Sequence, residues 1–143
     1  MNESIRPATL RPAARDDLAA IAAIQASSPE ASQWEPASYL EHDCVVAIVD
    51  GAVAGFLVSR EIADGEKEIL NLAVDPSQRR RGVARLLLEN ELAGARGQWF
   101  LEVRESNAGA RRFYESLGFR VTGQRKDYYR EPPEGAIVMR FFS

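Results

Sequence analysis

The apolar positions along the chain switch between strand-like and helix-like spacing, and the switches mark the elements. Residues about 4–10 read as a short first strand. From about 14 to 27, Leu18, Ile21 and Ile24 recur at helical spacing, with Asp16 and Asp17 suited to a first turn and Ser27-Ser28-Pro29 ending the run. Pro36 to His42 fits a second short helix with proline at its first position. Cys44 to Val49 is a continuous apolar strand, Asp50-Gly51 a tight-turn pair, and Val53 to Arg60 the returning strand of a hairpin. After the turn at Ala63-Asp64-Gly65-Glu66 comes a long strand, Glu68 to Val74, closed by Asp75-Pro76. Val83, Leu86, Leu87 and Leu92 then repeat at helical spacing, in a helix opened by Arg79 to Gly82 and stopped at Gly94 or Gly97. Trp99 to Val103 is a strand. A helix capped by Ser106 or Asn107 follows, carrying Ala110, Phe113, Tyr114 and Leu117, with Gly118 at a left-handed C-terminal position. Phe119 to Thr122 and Ala136 to Phe142 are the last strands, and 125–135, with Pro132-Pro133, reads as a loop.

Strands that alternate with helices after an opening hairpin predict an α/β fold, a mixed sheet covered on both faces. At 143 residues the chain fits one domain, 1–143. Hydrophobic residues make up 45% and charged residues 27%, the balance of a folded domain rather than a disordered one. The net charge of −3 speaks against a nucleic-acid partner. No apolar stretch approaches the roughly 18 residues of a membrane span, and Met1 to Arg6 lacks the pattern of a signal peptide. The single cysteine, Cys44, makes no internal disulfide, which points to a reducing cytoplasm; within its apolar run it reads as a small buried hydrophobe. With His42 as the only histidine, neither a Cys/His metal site nor a Ser/His/Asp triad is expected.

The most informative segment is Val74-Asp75-Pro76-Ser77-Gln78-Arg79-Arg80-Arg81-Gly82-Val83-Ala84-Arg85. A strand feeds a short loop and the loop feeds a helix, whose first backbone N–H groups and dipole favour an anion. Gly82 and the small Ala84 admit a close approach to the backbone, and the arginines add forked donors. Gly-Lys-Ser/Thr and G-x-G-x-x-G are both absent, so the loop is neither a nucleotide P-loop nor a dinucleotide fingerprint. A solvated basic helix start is the plain alternative.

Arg79-x-x-Gly82-x-Ala84, preceded by Leu72-Ala73-Val74-Asp75-Pro76, resembles the cofactor motif of the GNAT acetyltransferases. Phe100-Leu101-Glu102-Val103-Arg104-x-Ser106-Asn107, Phe113-Tyr114-Glu115-Ser116-Leu117-Gly118-Phe119, Asp127-Tyr128-Tyr129 and Ala136-Ile137-Val138-Met139 resemble the RimI branch, which acetylates the N-terminal alanine of a ribosomal protein. The resemblance covers essentially the whole chain and is strongest over 69–139. It implies a seven-stranded mixed sheet whose two central parallel strands, 68–74 and 99–103, splay apart. It implies acetyl-CoA as co-substrate, with its pantetheine arm on the backbone of Leu72, Ala73 and Val74. The pyrophosphate would lie on the amides of Arg80, Arg81, Gly82, Val83, Ala84 and Arg85, with Asn107 as a further contact. The chain departs from the family in a shorter helix after the cradle, a shorter loop before the last strand stiffened by Pro132-Pro133, and Ala84 in place of the commoner glycine.

By the same resemblance Glu102 is the general base and Tyr114 the general acid; a phenol near pKa about 10 stays protonated at neutral pH and can donate to a departing thiolate. Glu68 and Glu61 are alternative bases. Tyr128 and Tyr129 match a substrate-side pair and Trp34 a substrate-side helical region, with packing as the alternative for each; Asn107 is equally a helix N-cap. The implied acceptor is a protein N-terminus or a small amine. An α-amine, with pKa about 7.7–8.0, needs less help from a base than a lysine near about 10.4. No metal is implied, and the chain would act as a monomer or homodimer.

Overall fold

A computed structural model of the protein describes residues 8–29, 31, 33–94, 97–130 and 132–142. Its strands are β1 (Thr9–Pro12), β2 (Asp43–Val49), β3 (Ala52–Ala63), β4 (Glu66–Val74), β5 (Gln98–Arg104), β6 (Arg120–Arg130) and β7 (Pro133–Phe142). The helices are α1 (Leu18–Ala26), α2 (Val83–Ala93) and α3 (Ala108–Ser116), with 3-10 turns at Arg15–Asp17, Pro36–Glu41 and Pro76–Gln78. The strands form one seven-stranded mixed sheet in the order β1-β2-β3-β4-β5-β7-β6. By contacts the chain falls into two compact units, Met1–Arg60 with Ile69–Gly94, and Glu61–Glu68 with Ala95–Ser143.

In the first unit, β1, β2 and β3 pair antiparallel, and the Asp50-Gly51 hairpin forms as its sequence predicts, with both residues at positive φ. The first strand, expected at 4–10, lies at Thr9–Pro12; residues 1–7 fall outside the described part. The helix expected over 14–27 is divided. Asp17 accepts the Ala14 N–H at 2.8 Å and holds Arg11 in a fork at 2.7 and 2.9 Å, which closes a 3-10 turn ahead of α1. Ile21 and Ile24 of α1 cluster with Tyr39, Val46, Phe56 and Val58 in a buried core. Gly55 and Ser59 belong to the opposite face of β3. There a Cβ on Gly55 would meet Ala73 O at 3.0 Å and Val83 Cγ1 at 3.2 Å, and Ser59 donates to Glu91 of α2 at 2.8 Å. β3 is therefore covered on both faces, which explains its unbroken buried run from Ala54 to Ser59. On α2 the buried positions are Val83, Leu87 and Leu88, whereas Leu86 faces solvent.

In the second unit β5 alternates cleanly. Trp99, Leu101 and Val103 are buried, and Phe100, Glu102 and Arg104 take the other face. The parallel ladder of β4 and β5 joins Glu66–Glu68 to Gln98–Phe100; both strands run on beyond it. All of β5, Gln98–Arg104, pairs antiparallel with Ala136–Phe142 of β7.

Of the segment 125–135, expected to be a loop, the described residues 125–130 and 132–135 form the far half of the β6–β7 hairpin. Pairing continues to Tyr129↔Glu134 and Arg130↔Pro133, across a bulge between Arg125 and Tyr129 where Asp127 takes φ 52°. Pro133 opens its strand, where a missing N–H is tolerated. The segment hid in the sequence because β6 is the sheet edge: almost all its residues are exposed, so no apolar alternation marks it.

Candidate active site

The loop after β4 is built from local hydrogen bonds. Asp75 accepts from Ser77 N at 2.9 Å and from its hydroxyl at 2.7 Å, bonds that hold its carboxyl below the usual range. Asp75 N–H donates to Ala54 O at 2.7 Å, tying the strand end to β3. Arg80 (φ 65°) and Gly82 (φ 80°, ψ 11°) both occupy the left-handed region, and Gly82 caps α2. The first intrahelical bond runs from Leu86 N to Gly82 O at 2.9 Å, so the amides of Val83, Ala84 and Arg85 lie ahead of the helical ladder. A Cβ at Gly82 would meet nothing within 4 Å. Arg80 and Arg81 are exposed beside it, whereas Arg79 reaches Ser28 Oγ at 3.0 Å and Arg85 approaches Glu89 at 3.6 Å. The segment thus offers amides, positive charge and open space at Gly82.

Leu72, Ala73 and Val74 form the end of β4, with Ala73 buried. Leu72 N–H is bonded to Asn71 Oδ1 at 3.0 Å. Asn71 belongs to a buried polar network that the sequence reading missed. Tyr39 donates to Gln25 Oε1 at 2.5 Å; Asn71 Nδ2 donates to that same oxygen at 3.1 Å and to the Tyr39 hydroxyl at 3.0 Å. Gln25 in turn donates to Trp34 O at 2.7 Å. Trp34 precedes the Pro36–Glu41 turn rather than lying in a helix, and is 42% exposed. The only sequence signal for the network was a set of polar residues interrupting apolar runs.

In the second unit Glu102, Tyr128 and Tyr129 come together. The Glu102 side chain is 8% exposed, and burial, with the charge of Glu68, pushes its carboxyl above the ordinary value. Opposing this, Arg125 Nε stands 3.0 Å from Oε2 and the Tyr128 hydroxyl donates to Oε1 at 3.3 Å. Oε2 is buried and has no aligned hydrogen bond: the Arg125 approach supplies charge only. Tyr128 and Tyr129 pack edge to face at 5.1 Å, and the Tyr129 hydroxyl donates to Glu102 O at 3.4 Å. Arg104 lies over the Tyr129 ring at 4.2 Å, donates to Pro132 O at 2.9 Å and pairs with Glu134 at 3.4 Å. Burial drives the Tyr129 phenol up to about 12.

Tyr114 is buried on α3 in an aromatic chain with Phe113 at 5.3 Å and Phe119 at 5.6 Å. Burial, and then the neighbouring Tyr129, push its phenol well above 10. Glu102 and Tyr114 therefore share Tyr129 as a neighbour. Asn107 is the N-cap of α3, its side-chain oxygen accepting from Ala110 N at 3.1 Å. Arg125, Arg104 and Glu134 were not anticipated; the first and last lay in the segment read as a loop. Glu61 is exposed on β3. Buried Cys44 is pushed up to about 12, as suits a thiol used for packing. Among the described residues no group of three or more His, Cys, Asp or Glu is placed to hold a metal, and no helix is long and apolar enough to cross a membrane.

Comparison with known proteins adds a family. The profile described as Acetyltransferase (GNAT) family matches residues 12–119. The [Ribosomal protein bS18]-alanine N-acetyltransferase of Salmonella typhimurium (strain LT2) is 42% identical over 97 residues, which is 63% of this chain and 64% of that protein. The match therefore spans just under two thirds of the curated relative's length. The crystal structure of the ribosomal-protein-S18-alanine N-acetyltransferase from Escherichia coli is 31% identical, with a TM-score of 0.79 over 95% of this chain and 94% of that one. Chaetomium thermophilum Naa20, solved in complex with a bisubstrate analogue, is 27% identical, with a TM-score of 0.84 over 94% and 86%.

Proposed function

The chain belongs to the acetyltransferase (GNAT) family, and from that premise we propose that it acetylates the N-terminal amine of a protein, with acetyl-CoA as donor. The relatives named for alanine N-acetylation of a ribosomal protein support this acceptor class. The observation that carries the reading is Glu102: a buried carboxylate with its pKa raised, one oxygen free of hydrogen bonds, walled by Tyr128 and Tyr129.

The amine nitrogen attacks the thioester carbonyl carbon, the C–S bond breaks, and CoA leaves as a thiolate. Glu102 takes the proton that the amine loses, and Tyr114 supplies one to the thiolate. The two groups suit these tasks for opposite reasons. A raised carboxyl pKa lies nearer that of an α-amine, about 7.7–8.0, and makes a better-matched base. Burial keeps the Tyr114 phenol protonated, hence a donor, throughout the neutral range. The amides of residues 80–85 hold the donor's pyrophosphate at the dipole end of α2, with the backbone of Leu72, Ala73 and Val74 for its pantetheine arm. Asn107 adds a contact alongside its capping role. Tyr128 and Tyr129 wall the acceptor's path beside Glu102.

The test is release of free CoA with a panel of Ala-starting peptides and small amines. Turnover of peptides is expected; turnover of small amines alone would replace the acceptor, and acetyl-CoA binding without any turnover would make the chain a binding module. Glu102→Gln and Tyr114→Phe are each expected to lower kcat at least about a hundredfold while leaving acetyl-CoA affinity within about twofold. A near-wild-type rate in either removes that residue from the chemistry.

A further inference from the structure

Arg125 is held by its neighbours without being buried. Its guanidinium lies 5.5 Å from the centroid of the Tyr128 ring, its side chain is 57% exposed, and its Nε stands 3.0 Å from Glu102 Oε2. A carboxylate as enclosed as Glu102 is costly to ionise unless a cation compensates. An aligned arginine fork would compensate, but it would also occupy the lone pairs that a base needs. Here the two functions are separated: the charge is present, and Oε2 accepts no hydrogen bond. Tyr128 organises the arrangement from both sides, donating to Oε1 and carrying the guanidinium on its ring.

We propose that Arg125 is a positioning residue for the base: it keeps Glu102 anionic without engaging Oε2 in a hydrogen bond. The proposal rests on the reading of Glu102 as the base. The charged and titratable groups around that carboxylate are Glu68 on β4, Arg125, Tyr128 and Tyr129 on β6, Arg104 on its own strand, Glu134 on β7 and, by way of Tyr129, Tyr114 on α3. Of the two arginines, Arg104 is committed to Glu134, Pro132 and the Tyr129 ring, so the compensating charge falls to Arg125.

The experiment is the pH profile of kcat/KM with an Ala-starting peptide, for the wild type, Arg125→Gln and Arg125→Lys. The rate rises as pH climbs through the pKa of the base. Removing the cation raises that pKa, so the acid limb moves to higher pH. A displacement of roughly one pH unit is expected for Arg125→Gln, largely reversed in Arg125→Lys, with the KM for acetyl-CoA within about twofold of wild type. The peptide amine's own ionisation is common to all three proteins and cancels in the comparison. A limb that stays in place, or activity lowered equally at every pH, overturns the proposal. Glu102→Gln separates the two levels. If it retains wild-type activity, the base assignment itself fails; if it abolishes activity while the Arg125→Gln limb stays in place, the base stands and the role of Arg125 falls.

Discussion

Gly82 sits at φ 80° at the head of α2, with open space where a Cβ would stand. A substitution there meets no atom, so its cost is conformational: roughly 1–2 kcal/mol for an ordinary residue in the left-handed region, more for a β-branched one and less for asparagine. The chain can bear that cost as lost stability or relieve it by rotating Gly82. Rotation re-aims the amides of Val83 and Ala84, the donors assigned to the pyrophosphate. At 1.4 kcal/mol per decade, about 1–2 kcal/mol corresponds to a five- to thirtyfold weaker Kd for acetyl-CoA. Gly82→Val is therefore expected to lose affinity in that range, measured by calorimetric titration, or an equivalent free energy of unfolding in urea. Gly82→Asn, with similar volume but tolerance of positive φ, should stay within about threefold of wild type in affinity. Unchanged affinity and stability in Gly82→Val would refute the cradle assignment. Equal losses for asparagine and valine would show that bulk, not backbone conformation, is what the position excludes.

Three further outcomes are expected. Tyr39→Phe removes a buried donor to Gln25 and an acceptor for Asn71, which should cost about 1–2 kcal/mol in urea denaturation. It should also raise acrylamide quenching of exposed Trp34, to which buried Trp99 contributes little; a change below about 0.3 kcal/mol would count against the network. The depressed carboxyl of Asp17 contributes stability that is present above its unfolded pKa, about 3.9, and is lost as pH falls through its lower folded value. Asp17→Asn should therefore flatten the acid limb of the urea midpoint against pH; a limb parallel to that of the wild type would exclude this source. Arg104→Met releases Tyr129 and the turn at Pro132 together, so it should raise the KM for peptide severalfold and leave that for acetyl-CoA unchanged; equal rises in both would argue for a general loss of structure.

The elements with a buried face were legible in the sequence. The apolar run from Cys44, the Asp50-Gly51 turn and the alternation from Trp99 to Val103 each carry the period of what they form, and the Asn107 cap follows from side-chain chemistry. The far half of the last hairpin was not legible, because an edge strand needs no apolar face and its bulge breaks the alternation. The site divided along the same line. Glu102, Tyr114, Tyr128 and Tyr129 were singled out by their resemblance to a family motif, whereas Arg125 and Glu134 owe their places to a pairing register that only the fold supplies. Gln25 and Asn71 were passed over for a different reason: polar residues far apart in sequence show their mutual satisfaction only once packing brings them together.

One guanidinium, that of Arg104, grips a prolyl carbonyl, a carboxylate and an aromatic face at once. A change in the length or stiffness of the tip beside Pro132 is therefore transmitted to the Tyr129 ring.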